Sequence, residues 1–350
     1  MSRALLLALL VACSGGDDDK TTDGPDTDSG TEETGTTGPD ALTVIGDAPD
    51  LPASALLSIW GSSASDVWIV GADDGAGPVV LHFDGSAWSR IDTGSTGDLW
   101  WVWGDGAGTI FLSGAGGRVI EHDVAGGTFT EHDAADPNLT LFGLWGTSAT
   151  DVWTVGGDVS GSRNGAMIHY DGTTWTEVGQ PEGKTNRSAF KVWGTASDDV
   201  WFVGTGALIS HWDGAGFTEV VPSPVYGTTT LTTVAGSANE VIAVGGFGNA
   251  VVARNDGSGW VDDSPPPAQI APGFTGIHVR DDQVVACGTR GEVWSRDAEG
   301  WDRAYEPATT YDLHGCWIDP DGHVWTVGGD LISLTAGFVA TDADVPAITL

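Results

Sequence analysis

The chain has 350 residues, with 49 Asp and Glu against 13 Lys and Arg, 53 Gly and 17 Trp. A formal charge of −36 excludes nucleic-acid binding by phosphate neutralisation and favours a soluble, self-repelling surface. Many short strand-like runs bounded by Gly and Asp, with no long helical periodicity after the N-terminus, point to an all-β fold.

The first element in chain order is the apolar run Ala4–Ala12, preceded by Arg3. It is too short to span a bilayer, which takes about 20 residues, and it has the build of a secretory signal. Its end, Leu10-Val11-Ala12-Cys13, resembles a bacterial lipobox. That resemblance implies a signal peptide over residues 1–12, a diacylglyceryl group on the Cys13 thiol and cleavage just before it. Several acyl chains on one residue hold a membrane far better than one, at about 0.8 kcal/mol per buried CH2. Ser14 stands where an aspartate would resemble an inner-membrane retention signal. The expected location is therefore the outer membrane, facing the periplasm or the cell surface. A plain secretory peptide with a chance cysteine is the alternative.

Residues 13–40 follow as a tether. Ser14–Asp40 lacks aromatic and aliphatic residues, so it cannot bury enough apolar surface to offset its ordering entropy. Its acidic run lacks the spacing of a calcium loop. No metal and no cofactor is expected anywhere in the chain.

From residue 41 to 350 the sequence repeats. "SIWGSSASDVWIVG" at Ser58–Gly71 returns as "GLWGTSATDVWTVG" at Gly143–Gly156 and "KVWGTASDDVWFVG" at Lys191–Gly204. The anchors lie at Trp60, Trp103, Trp145, Trp193, Ala235, near His278 and at Trp317. Each unit holds four strand-like pieces, and four strands at a period near 42 predict a seven-bladed β-propeller with four antiparallel strands per blade. Trp60, Trp68 and their equivalents suit the wedge between blades. Gly71 and its equivalents end the second strand, where a turn is expected to need a residue without Cβ. Asp84-Gly85, Asp171-Gly172, Asp213-Gly214 and Asp256-Gly257 are expected hairpin turns. Ala41–Gly46 resembles a spare fourth strand and is expected on the outer edge of the last blade, although Phe338–Ala343 competes for that place.

The unit W-G-x-S-x-x-D-V-W-x-V-G … H-[FYW]-D-G-x-x-W resembles the repeat of BNR or sialidase-like propeller proteins over most of Leu57–Leu350. The resemblance implies the fold and no one activity, because one propeller serves many functions. Phe83–Trp88 departs from the Asp-box pattern, with Gly directly after Asp.

Chemistry is sparse. His82, His122, His169 and His211, then Arg254 and Arg296, share one repeat position on third strands. Splayed blades hold such positions on the order of 15 Å apart at about 4.8 Å per strand step, too far for a shared metal. They are read as inter-blade hydrogen-bonding residues. A sialidase-like site needs an arginine cluster, a Tyr/Glu pair and an acid. The four tyrosines, Tyr170, Tyr226, Tyr305 and Tyr311, assemble no such set, and no catalytic residue is assigned. Cys287 and Cys316 fall on neighbouring blades and are either a candidate disulfide or buried free thiols.

Variable loops then carry the function. Arg163, Lys184 and Arg187 cluster around blades 3 and 4, Tyr226 follows, and Arg118 and Arg290 sit in equivalent short loops. These six are the candidate ligand-binding residues, suited to an anionic glycan or a protein loop. The expected protein is a monomeric, non-catalytic envelope lipoprotein. It binds the membrane through its lipid, and a protein or cell-surface polysaccharide through the propeller's loop face. A sialidase-like glycan hydrolase and an envelope assembly scaffold are the alternatives.

Overall fold

A computed structural model describes residues 40–158, 165–179, 188–221, 223–225 and 229–350. Cys13, Arg163, Lys184, Arg187 and Tyr226, and the signal and tether expected before residue 40, lie outside them. Among the described residues the chain forms seven four-stranded antiparallel sheets. The innermost strands are Leu56–Ser63, Leu99–Gly104, Thr140–Ser148, Ala189–Ala196, Leu231–Gly236, Phe274–Arg280 and Asp312–Ile318, for blades 1 to 7. Each packs against the next, and blade 7 packs back on blade 1, so the ring is closed.

Second strands such as Asp66–Asp73 and Asp151–Gly157 are buried almost throughout. They lie between two neighbouring blades, which is why their sequences read as continuous apolar runs rather than alternating ones. Outer strands such as Trp175–Glu177 and Trp260–Asp262 have three residues each and mostly polar exposure, so the sheet edges are short and guarded.

The repeated Trp-Gly pair builds the wedge between blades. The ring of each Trp covers the Gly of the following blade: Trp60 on Gly104, Trp103 on Gly146, Trp145 on Gly194, Trp193 on Gly236 and Trp317 on Gly61. The last contact joins blade 7 to blade 1. A side chain at any of these glycines would occupy the space of the ring.

Closure uses the N-terminal strand. Thr43–Asp47 pairs antiparallel with Thr335–Thr341, with Thr43 opposite Thr341 and Asp47 opposite Phe338. Thr335–Thr341 is the third strand of blade 7, and the N-terminal segment supplies the fourth, as expected. The C-terminal tail then crosses this seam, where Ile348 N–H donates to Ile45 O at 2.7 Å.

Two sequence-based expectations need correction. The glycines ending the second strands are not there for a left-handed turn, since none of them has a positive φ. They let the incoming chain pass close by: a Cβ on Gly156 would lie 2.1 Å from Thr140 O. The histidines, in turn, bond within their own blades. His82 Nε2 donates to Asp66 Oδ1 at 2.8 Å, His169 to Asp151 at 2.6 Å and His211 to Asp199 at 2.7 Å. The acid stands at the start of the second strand, directly beside the end of the third, so the pair closes one blade's own sheet. Arg254 does the same with Glu240 at 2.6 Å. Where Gln283 replaces the acid in blade 6, the cation reaches a neighbouring blade instead, and Arg296 bonds Asp263, just beyond the outer strand of blade 5.

Candidate functional site: a cup of bulge residues on the axis

Every innermost strand has one extra residue near its start. The pairing with the second strand skips a position between Leu56 and Ser58, Leu99 and Trp101, Leu141 and Gly143, and Ala189 and Lys191. The same shift falls between Leu231 and Thr233, Phe274 and Gly276, and Leu313 and Gly315. The residue before each bulge is paired with the glycine that ends the second strand, as in Leu56–Gly71 and Leu141–Gly156. The close approach that this glycine permits and the bulge are thus one device. A bulge re-aims a side chain that the ladder would have sent elsewhere.

The seven bulge residues are Leu57, Trp100, Phe142, Phe190, Thr232, Thr275 and His314. Six of them line a single cavity of about 130 Å3, together with Lys191, Asp158, Ser188, Phe247 and Leu331 among others. Leu57 packs in the same apolar cluster as Trp100, Phe142 and Leu331. The aromatic rings meet edge to face: Trp100–Phe142 at 5.3 Å, Phe142–Phe190 at 5.2 Å and Trp100–His314 at 5.7 Å. The cavity sits where innermost strands begin and second strands end. It therefore opens toward the inter-blade loops and the second-to-third-strand loops, the face expected to carry function.

Bulging takes carbonyls out of the ladder, and polar side chains of adjoining blades satisfy them. Thr232 Oγ1 donates to Phe274 O at 2.8 Å, Thr275 to Leu313 O, and His314 Nδ1 to Leu57 O at 2.5 Å. Since a carbonyl only accepts, Nδ1 of His314 carries the proton and Nε2 is left as an acceptor.

Lys191 is the chemical oddity. It follows the bulge in blade 4 and is 4% exposed. Gly143 of blade 3 makes room for it, since a Cβ there would lie 3.2 Å from Lys191 Cδ. Its Nζ donates to Phe142 O at 2.5 Å and lies 4.2 Å from the centre of the Trp101 ring. Burial pushes the Lys191 amine down to about 7. His314 is held down at about 3, first by burial and then by the charge of Lys191. Both groups are thus poised toward their neutral forms.

Below the cup, the axis continues as a channel of about 220 Å3, lined by Trp60, Trp103, Trp145, Trp193 and Trp317. On the expected site residues the structure is mixed. Arg118 is a brace: its guanidinium bonds Ser95 Oγ at 3.3 Å, Glu131 at 3.2 Å and Thr96 O. Arg290 is exposed at the turn Thr289–Gly291, with φ 61°. Neither lines the cup. Arg163, Lys184, Arg187 and Tyr226 lie outside the described residues. Cys287 and Cys316 are buried free thiols rather than a disulfide, and Cys316 Sγ donates to Val285 O at 3.4 Å. With that acceptor and a shared apolar cluster, both are satisfied as small core residues.

Sequence reasoning missed Lys191 and the bulge residues. No family model and no curated protein matches the sequence. Among solved structures, the chain is similar to virginiamycin B lyase from Staphylococcus aureus, with TM-score 0.63 and 15% identity over 83% of this chain and 97% of that one. It is similar to the WD40 propeller domain of Doa1, with TM-score 0.64 and 10% identity over 88% and 98%. It is also similar to YCF48 from Cyanidioschyzon merolae, with TM-score 0.60 and 14% identity over 86% and 98%. At such identities the likeness concerns the fold, and by fold the chain is a β-propeller repeat protein.

Proposed function

We propose that this chain is a non-catalytic binding protein of a bacterial envelope, anchored by lipid at Cys13, that reads a protein or surface glycan at the face bearing the cup. One observation carries the reading: the innermost strand of every blade bulges, and six of the seven bulge residues line a single axial cavity. Closing a propeller does not require an aromatic set there. A mainly apolar hollow with a few convergent polar groups is the usual form of a ligand site. Among the described residues its lining includes one carboxylate, Asp158, and no arginine, which favours binding over sialidase-like hydrolysis. The BNR-like repeat then serves as frame. The lipobox-like Leu10–Cys13 and the acidic tether supply the reach from an outer membrane.

The test uses the full chain in detergent, offered to a glycan array and to solubilised envelope proteins, beside Phe190→Ala. Phe190 is only half-buried, so the ring can be removed without opening the core. Capture of one glycan or protein that Phe190→Ala loses supports the reading. Equal capture by both chains, no capture at all, or glycan cleavage overturns it. Separately, Cys13→Ser is expected to move the protein from the membrane to the soluble fraction.

A further inference from the structure

The cup is small and its chemistry is specific. A dry apolar cavity of about 150 Å3 holds one benzene molecule. At about 130 Å3, this one takes a single ring or a short alkyl group, with the remainder of any ligand outside. Trp100, Phe142 and Phe190 offer it ring edges and faces.

Among the described residues the lining holds one amine, Lys191. The Lys191 amine has three donors, and among the described residues its hydrogen bond goes to Phe142 O alone. Burial pushes its pKa down, and among the described residues no carboxylate is paired with it. The other titratable groups of the lining are His314, which donates to Leu57 O, and Asp158, which has an interaction of its own. A buried amine with donors to spare and, among the described residues, no counter-charge is incomplete until an acceptor arrives.

We propose that the cup binds one apolar group bearing a carboxylate, with the apolar part among Trp100, Phe142 and Phe190 and the carboxylate on the Lys191 amine. This rests on the reading of the cup as the ligand site. Binding draws a proton onto the amine where it was neutral, so proton uptake accompanies it. A charge-assisted bond in a site without water is much stronger than its exposed counterpart. The acid is either a free small molecule or the C-terminus of a chain ending in an aromatic residue.

The experiment is calorimetry on the full chain with phenylacetate, phenylacetamide and phenethylammonium, in two buffers of different ionisation heat at pH 7. Phenylacetate is expected to bind at least tenfold tighter than the amide, with proton uptake, and the cation not at all. Lys191→Met should erase the preference of acid over amide. In wild type the preference should shrink from pH 6 to pH 9, which tests the amine without any variant. A tetrapeptide ending in Phe, as free acid and as C-terminal amide, separates the sources: binding of its acid form points to a chain terminus, and binding of phenylacetate alone to a small molecule. Equal affinity for acid and amide, a preference that survives in Lys191→Met, or no binding by any probe overturns the proposal. If envelope capture still depends on Phe190 in that case, the cup remains the ligand site and only the carboxylate is wrong.

Discussion

Trp60 of blade 1 covers Gly104 of blade 2 so closely that a Cβ on the glycine would lie 2.5 Å from Trp60 Cη2 and 2.7 Å from Ile110 Cδ1. Ile110 is buried in the core, and the half-buried Trp60 ring packs against the same apolar cluster. Gly104→Ala is expected to destabilise by about 1–3 kcal/mol through overpacking. The control is Gly216→Ala, where an added methyl meets open space and φ is not positive. That change should be neutral or slightly stabilising. Thermal denaturation of the two variants checks the pair, and equal melting would remove the role given to the Trp-Gly contact.

The carboxylate of Asp66 collects three donors: His82 Nε2 at 2.8 Å, Trp68 Nε1 at 3.0 Å and Ser62 Oγ at 2.5 Å. Asp66→Ala is expected to cost about 1–3 kcal/mol, because three donors lose one acceptor and two of them are partly buried. The His82 bond first, then those from Ser62 and Trp68, hold the Asp66 carboxyl below its ordinary value against the opposing effect of burial. Its contribution is therefore present above the unfolded value and lost as pH falls through the folded one. Chemical denaturation at pH 7 and pH 3 should show a smaller gap between wild type and Asp66→Ala at the acid end.

This network marks what could be read from sequence. The acid column runs Asp66, Thr109, Asp151, Asp199, Glu240, Gln283, and the cation column runs His82, His122, His169, His211, Arg254, Arg296. Both are visible in an aligned repeat, and so was the propeller. That they meet inside one blade follows from strand register, which spacing alone leaves open. In blade 2, with Thr109 at the acid position, His122 Nδ1 donates to Thr128 O instead. The cup was hidden for a different reason. Comparison of repeats weights what agrees, and the bulge position holds Leu, Trp, Phe, Phe, Thr, Thr and His. The glycine column was legible, however, and each of those glycines faces the residue just before a bulge. A column that varies opposite one that does not is the signal that was available.

The seam at blade 7 depends on the N-terminal strand. Without Thr43–Asp47, the edge of Thr335–Thr341 would be bare and Ile348 would lose its acceptor, Ile45 O. Deleting residues 41–47 is expected to lower the melting temperature by several degrees and to raise aggregation. A synthetic peptide of residues 41–50 added in trans should restore part of the loss. Unchanged melting on deletion would mean that the ring closes without its fourth strand.

Lys191 gives the fold an unusual pH dependence. Its amine titrates near 10.5 as a free side chain and at about 7 where it is buried. Between these two values the unfolded chain holds a proton that the folded chain has released. Stability must therefore rise with pH across that window, by an amount on the order of 5 kcal/mol if the amine alone is considered. Below pH 7 both states are protonated, and the folded state bears the full cost of a charged amine in an apolar site. Lys191→Met removes both the cost and the slope. The variant should be more stable than wild type at pH 6, with the advantage shrinking steadily toward pH 10. Urea denaturation of both chains at pH 6, 8 and 10 measures it, and parallel curves would mean that the amine reaches solvent.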